Sequence, residues 1–466
     1  MTWGRELVEP LLSRTEPAAL LPPRRSDEAA RIERPLDLIS CVQLDDSRED
    51  LWYAIVRDAR GVSYGVPCVA SGEALRRAVP GDGAAEALLG LLGRGDQVGS
   101  GEGPPGQGSR DDHVRVTRWH AEPCAGERGF DVDQTNELLV VGERAVVKWL
   151  LHPTADEQPG PRRLAALVDA SFAGTPWPWG LVSIDHAGEG VLIATVVDYV
   201  AAASDGWEWA VEDVRSLALG ETEEANALRS TPVIGRLVAE MHLAFAAAGR
   251  SIATDDDAED WSAEAVADLR DASLAAPTAR LVAQELALVT GFAGTTVIDI
   301  HGDLHIGQVL RTSPGDDLSI IDFDGSPTRS PEQRLARQPA ARDVAGMLAS
   351  LDHVGRVVLH RTAGLDDGQR GRVHDWIAAA QRGFLDAYLS RLAEAGEESL
   401  LDARLVRPFQ LQQECREFIY AARYLPHWRY VPEGALAALL SSQFESPSGG
   451  RQVGDQESLN HDEGAP

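Results

Sequence analysis

Lysine is almost missing from this chain of 466 residues: of its 43 basic residues only Lys148 is a lysine. Cysteine is scarce as well. Cys41, Cys68, Cys124 and Cys415 stand far apart, with no C-x-x-C pair and no metal-ligand spacing. That pattern argues against a disulfide framework or a structural zinc site and predicts a reducing, cytoplasmic setting. No apolar run reaches membrane-spanning length, and the N-terminus lacks a basic-then-apolar leader, so neither a membrane span nor a secretion signal is expected. Positive charge is the last shortage, with a formal net charge of -30. So acidic a surface repels nucleic-acid phosphate and anionic membrane, and neither is an expected partner. It also repels ATP unless local cations or a metal offset the field, and it draws in a cationic substrate. A monomer or weak homodimer is the expected state.

What is present is ordinary for a globular protein, 44% hydrophobic and 25% charged, and the length suggests roughly three domains or lobes. Residues 1–110 read as a β-rich cap ending in a Gly-rich linker at 94–112. Short apolar runs at 36–42, 51–56 and 62–66 predict strands there, and helical patterns follow near 71–79 and 83–93. The linker glycines follow no strand and end in no Gly-Lys-Ser/Thr, so they do not read as a phosphate loop. Residues 111–200 form a second β-rich segment with one helix near 161–174. Residues 201–445 are mainly helical with short strands at 296–300, 307–311 and 318–323, and the polar tail at 446–466 is expected to be disordered. The predicted class is α+β and bilobal, with a β-rich nucleotide lobe feeding a helical lobe, as in protein-kinase-like folds.

Two loops carry the chemistry. The first is His301-Gly302-Asp303-Leu304-His305-Ile306-Gly307-Gln308; the second, after a short apolar strand, is Asp322-Phe323-Asp324-Gly325. Phosphoryl transfer needs a carboxylate to orient the acceptor hydroxyl, metal ions to bridge the phosphates, and a cation to position them. Asp303 suits the first role as catalytic base and also touches substrate. Gln308 and Asp322 suit a Mg2+ site, with Asp324 assisting two residues on. His301 reads as a brace for the loop backbone and His305 as a possible substrate contact. Lys148 lies in the strand-like run 145–150. A GC-rich genome would account for arginine in place of lysine elsewhere, but a site needing a compact point charge on phosphate resists that swap.

HGDLHIGQVLRT with IDFDGSP resembles the maltokinase group of actinobacteria and its relatives, within the aminoglycoside-phosphotransferase-like kinases. The likeness extends to Asp133-Gln134-Thr135-Asn136 and Val140 to Lys148, to Asp198-Tyr199-Val200 with Ser204-Asp205-Gly206-Trp207, and to the helix opening at Arg342-Asp343. The resemblance implies that Lys148 contacts the α- and β-phosphates of ATP. It implies that the turn at Gln134, Thr135 and Asn136 covers the phosphates, and that residues 196–200, with Val197 and Tyr199, form the adenine hinge. A kinase lysine normally pairs with a glutamate on the following helix. Here that helix reads Pro161-Arg162-Arg163-Leu164, without an acid, and Glu157 is the nearest substitute.

The C-terminal helix bears on the acceptor. Maltokinases carry two glutamates around a tyrosine and then Asn-Arg-Pro. Here Glu417 and Tyr420 fit, but Ala421 and Tyr424-Leu425 do not. The altered stretch resembles that of the glucosamine kinases, which implies an amino sugar as substrate and transfer to its 6-hydroxyl. Glu414 and Glu417, three apart, share a helix face as candidate partners of the ammonium, and Trp428 offers a ring face to the pyranose. Maltose 1-phosphorylation is the runner-up. An aminoglycoside kinase and a non-catalytic pseudokinase are weaker alternatives.

Overall fold

The computed structural model describes residues 2–22, 25–95, 114–130, 137–186, 189–313 and 315–441. Most of the Gly-rich linker, the turn at Gln134, Thr135 and Asn136, and the tail at 446–466 lie outside the described residues. No helix among the described residues is long and apolar enough to cross a membrane.

The cap comprises α1 (Thr2–Arg14), α2 (Ser26–Ala29), β1 (Asp37–Gln43), β2 (Leu51–Arg57), β3 (Ser63–Ser71), β4 (Ala74–Arg77) and α3 (Ala84–Arg94). Its strands form an antiparallel sheet in sequential order. The helix expected near 71–79 is instead strand β4. Leu75 and Arg77 turn inward with period two, and Gly72 at φ 62° lets Ser71 pair with Ala74 across the turn. Strand β2 shows how the cap is fixed. Trp52, Ala54 and Val56 pack on one side with Val8 and Leu12 of α1, while Leu51, Tyr53 and Ile55 pack on the other with Val147 and Trp149. Six fully buried positions in a seven-residue strand mean apolar contact on both faces, each large side chain contributing about 1.5–3 kcal/mol. Tyr53 stacks on Trp149 at 5.5 Å, so the cap and the sheet behind it share one core.

That second sheet holds β5 (Val114–Arg118), β6 (Glu127–Gly129), β7 (Glu137–Val141), β8 (Ala145–Trp149), β9 (Pro178–His186) and β10 (Glu189–Asp198), in the order β5-β9-β10-β8-β7-β6. Helix α4 (Pro159–Asp169) joins β8 to β9. In β8 the alternation buries Ala145, Val147 and Trp149 and turns Lys148 to the opposite face.

The helical lobe runs through β11 (Ala203–Ser204), α5 (Gly206–Leu219), α6 (Glu224–Leu228), α7 (Ser230–Ala248), β12 (Arg250–Ile252), α8 (Asp255–Asp271), α9 (Ala276–Leu286) and β13 (Thr296–Ile298). It continues with β14 (Val309–Thr312), β15 (Leu318–Ile320), α10 (Pro331–Leu335), α11 (Ala341–Arg361), α12 (Asp367–Ala395), α13 (Val406–Arg423) and α14 (Tyr430–Ser441). The helix expected over 223–248 is broken at Arg229 into α6 and α7. Helices α7 and α11 carry the centre of the core, with Val238, Met241, Phe245, Val344, Met347 and Leu351 buried together. The hairpin β14–β15 rests on this core and presents the two chemical loops at its ends.

Candidate active site

The loop bearing Asp303 is suspended from Asp343, near the start of α11. The backbone N–H groups of His301 and Gly302 donate to the two Asp343 oxygens at 2.7 and 2.9 Å. His242 of α7 lies 3.0 Å from the same carboxylate and meets the Tyr388 hydroxyl at 2.7 Å. Burial alone would raise the Asp343 pKa; the hydrogen bond from His242 and the nearby imidazoles overcome it and hold the carboxylate below its usual range. Each removed partner would leave a buried charge unpaired, so the network fixes the loop firmly. His301 braces as expected: Nε2 donates to the Ile321 carbonyl at 2.9 Å and Nδ1 accepts from Asp303 N–H at 3.3 Å. This ring therefore ties the two loops together, and burial keeps it neutral.

The second loop turns sharply, with Asp322 at φ 65° and Gly325 at φ 73°. A left-handed aspartate costs on the order of 1 kcal/mol, and here the turn aims its carboxylate at the sheet. Lys148 Nζ lies 2.8 Å from Asp322 Oδ1 and 2.7 Å from Asp324 Oδ2. Burial would lower the lysine pKa, but Asp324 and Asp322 overcome it and raise it. Asp322 is correspondingly lowered: desolvation pushes it up, and the lysine more than reverses this. The expectation that Glu157 partners Lys148 is wrong. Glu157 sits 3.2 Å from Arg162 instead, and the lysine takes both its partners from the loop below.

The donor set fits magnesium. Asp322 and Asp324 supply carboxylates, and Gln308 lies with Nε2 turned to His305 at 3.4 Å, leaving its amide oxygen without a partner among the described residues. Among those residues no group of three or more His, Cys, Asp or Glu side chains is spaced for a metal. An all-oxygen set of two carboxylates and an amide, completed by phosphate and water, suits Mg2+ and gives a thiophilic metal nothing to prefer.

The hinge is less uniform than expected. Val197 is half-buried in β10 opposite Val146, beside the strand that carries Lys148. The Tyr199 N–H is already spent on the Arg144 carbonyl at 2.7 Å, so it does not serve as an adenine donor. Its ring packs edge-on against Phe130 at 6.2 Å and under Arg128. The Val200 N–H has no backbone partner among the described residues. A cavity of about 720 Å³ lines Asp198, Tyr199, Trp177 and Ser319, but none of Lys148, Asp303 or Asp322 faces it.

On the acceptor side Glu417 of α13 accepts hydrogen bonds from Gln413 at 3.1 Å and from Trp428 Nε1 at 3.3 Å. Trp428 meets Trp207 edge-on at 5.7 Å, and Trp207 lies 6.4 Å from the His305 ring. Asp303 is raised chiefly by burial; His305 opposes this, while the negative charges of Asp322 and Glu417 add to it. His305 is lowered by burial against the pull of Asp303. Asp303 thus lies in the fields of both Asp322 and Glu417. Glu414 feels the charge of Glu417 but is turned to a partner of its own. It is fully buried, and both its oxygens lie at 3.0–3.1 Å from His353 Nε2 of α11. Three residues of helix rotate it away from Glu417 by about 60°. Trp207 and Gln413 were not singled out as site residues from the sequence. Gln413 precedes Glu417 by one helical turn, which is the signal that could have found it.

No protein-family model matches the chain. It is 42% identical over 450 residues to a glucosamine kinase of Streptacidiphilus jiangxiensis, covering 93% of this chain and 98% of that one. It is 39% identical over 381 residues to a glucosamine kinase of Mycolicibacterium smegmatis, covering 78% and 90% respectively. The chain belongs to the glucosamine kinase family. A solved glucosamine kinase in complex with glucosamine, ADP and inorganic phosphate superposes with a TM-score of 0.76 at 40% identity, over 92% of this chain and 98% of that one. The bilobal architecture with its cap is therefore the glucosamine kinase fold, and the two loops, Lys148 and the Glu417–Trp428 wall are features of this chain within it.

Proposed function

We propose that this chain transfers the γ-phosphate of ATP to a hydroxyl of D-glucosamine, giving glucosamine 6-phosphate. The observation that carries the reading is the placement of Glu417, an anion oriented by Gln413 and Trp428 and close enough to Asp303 to raise its pKa. A protonated 2-amino group bound to that carboxylate makes a charge-assisted hydrogen bond, while Trp428 and Trp207 offer apolar ring faces to the pyranose. Membership of the glucosamine kinase family supports the same acceptor.

Each residue then has a task. Asp303 accepts the hydrogen bond of the acceptor hydroxyl and takes its proton as the new O–P bond forms; its raised pKa makes it a better base than an ordinary carboxylate. Lys148 turns from Asp322 and Asp324 to the incoming phosphates, where a compact ammonium suits the triphosphate. Gln308, Asp322 and Asp324 are then free to hold Mg2+, which when bound neutralises phosphate charge. The Val200 N–H serves the base of the nucleotide.

The test is a coupled ADP-release assay with Mg-ATP over glucosamine, glucose, maltose, N-acetylglucosamine and kanamycin. The highest kcat/KM is expected for glucosamine, with 31P NMR showing the 6-phosphate. A higher kcat/KM for maltose or kanamycin overturns the acceptor, and no ADP release with any of the five overturns the kinase reading.

A further inference from the structure

Helix α4 lacks the acid that a kinase lysine usually finds there, yet it is tied to the chemistry by another residue. Arg163 is only 2% exposed. Its Nη1 donates to the His301 carbonyl at 3.0 Å and to the Phe323 carbonyl at 2.7 Å, and its Nη2 donates to the Arg334 carbonyl at 2.9 Å. His301 stands two residues before Asp303, and Phe323 lies between Asp322 and Asp324. Gly302 at φ 81° and Gly325 at φ 73° sit against the guanidinium: a Cβ at Gly325 would come within 3.1 Å of Nη1, and one at Gly302 within 3.6 Å of Nη2. A side chain at Gly325 would crowd the guanidinium, whereas Gly302 lies at ordinary contact distance from it. Burying a guanidinium is costly, and here Nε is buried without a hydrogen-bond partner among the described residues, so an apolar side chain would serve packing alone more cheaply. The planar fork of arginine is the side chain that can reach three carbonyls at once. Burial lowers its pKa to about 10, which leaves it charged at neutral pH.

We propose that Arg163 is a positioning residue: it clamps the Asp303 loop to the Asp322 loop and couples both to α4. In this chain the link from helix α4 to the catalytic loops runs through a guanidinium and backbone carbonyls, while Lys148 pairs with Asp322 and Asp324 and not with the helix. Helix α4 follows β8 after residues 150–158, so Arg163 ties the segment that leaves the Lys148 strand to both loops together. Asp303 and Asp322 keep a fixed relation whether or not Lys148 has left its aspartates for phosphate.

The inference rests on the kinase reading but is read separately from the identity of the acceptor. Two variants test it, Arg163→Lys and Arg163→Ala, each compared with the parent protein using the best acceptor of the five. The lysine keeps the charge but cannot span three carbonyls. Its kcat is expected to fall about 10- to 100-fold, as for a displacement of reacting groups on the order of 1 Å, with KM for ATP and for the sugar changed less than about threefold. Arg163→Ala is expected to lose more, and added guanidinium ion is expected to restore at least about tenfold of its kcat by occupying the same carbonyls. A kcat for Arg163→Lys within twofold of the parent overturns the proposal. So does a loss that appears wholly in KM, or an alanine variant that guanidinium does not rescue. Failure of both variants to fold, judged by circular dichroism, makes the residue architectural only and also overturns it. A parent protein inactive on all five acceptors sinks the kinase reading instead.

Discussion

The phosphate end and the sugar end of the site are built on different plans. At the phosphate end, charges from two short loops are held by backbone hydrogen bonds to deeply buried side chains, Asp343 from α11 and Arg163 from α4. At the sugar end, one helix and the turn after it present Glu417, Gln413 and Trp428 from half-buried positions, with few partners behind them. The first arrangement has little freedom and should fail completely when broken. The second can be altered residue by residue, which is where acceptor preference can change without loss of phosphoryl transfer.

The sharpest way to break that contrast is Asp303→Ala. The loop backbone remains pinned by Asp343, so the fold should stand, while loss of the base lowers kcat by about 10²–10⁴-fold. Steady-state kinetics alongside a melting curve decide it: a variant keeping a tenth of parental kcat would remove Asp303 from the chemistry. Lys148→Arg comes next. Charge is conserved, yet the planar head cannot replace a point charge lodged between Asp322 and Asp324, and kcat/KM for ATP should fall by roughly 10- to 100-fold. An arginine variant with unchanged kcat/KM would mean that the only lysine is a compositional accident.

These two residues were the legible part of the molecule. Asp303, Gln308 and Asp322 sit in contiguous motifs, and Lys148 stands out by being alone. The strands of both sheets other than β4 and β6, and most long helices, also follow from apolar periodicity. What escaped was what depends on backbone atoms or on packing partners distant in sequence. Arg163 acts through carbonyls, which carry no residue code, and its arginine was noted only as a missing glutamate. Glu414 and Glu417 look equivalent at a spacing of three, and only the position of His353, 61 residues away, separates them. Strand β4 was mistaken for helix because Ala74-Leu75-Arg76-Arg77 is rich in good helix formers, and the sheet edge it completes overrides that preference.

Glu417→Gln tests the sugar end. The change keeps the shape and one acceptor oxygen but removes the charge, so only a cationic acceptor should notice. KM for glucosamine is expected to rise about tenfold, the worth of a charge-assisted over a neutral hydrogen bond. KM for glucose should move by less than about twofold. An equal rise for both sugars would assign Glu417 to wall structure and leave the ammonium without its partner.

The smallest effect concerns His353, the residue that distinguishes Glu414 from Glu417. Burial would push the His353 imidazole down, but Glu414 at hydrogen-bond distance overcomes this and takes it up to about 9. Glu417 and Asp352 add to the rise. A histidine raised on folding contributes stability that is complete below its ordinary value of 6.5 and is lost as pH climbs through about 9. Urea midpoints between pH 6 and pH 10 should therefore fall with pH by the equivalent of about 1–3 kcal/mol, and the fall should flatten in Glu414→Gln. Because Glu414 serves α11 and not the sugar, that variant should keep parental KM values for both sugars at pH 7. A selective rise in KM for glucosamine would return Glu414 to the acceptor wall and erase the division between a rigid interior face of α13 and its adaptable outer one.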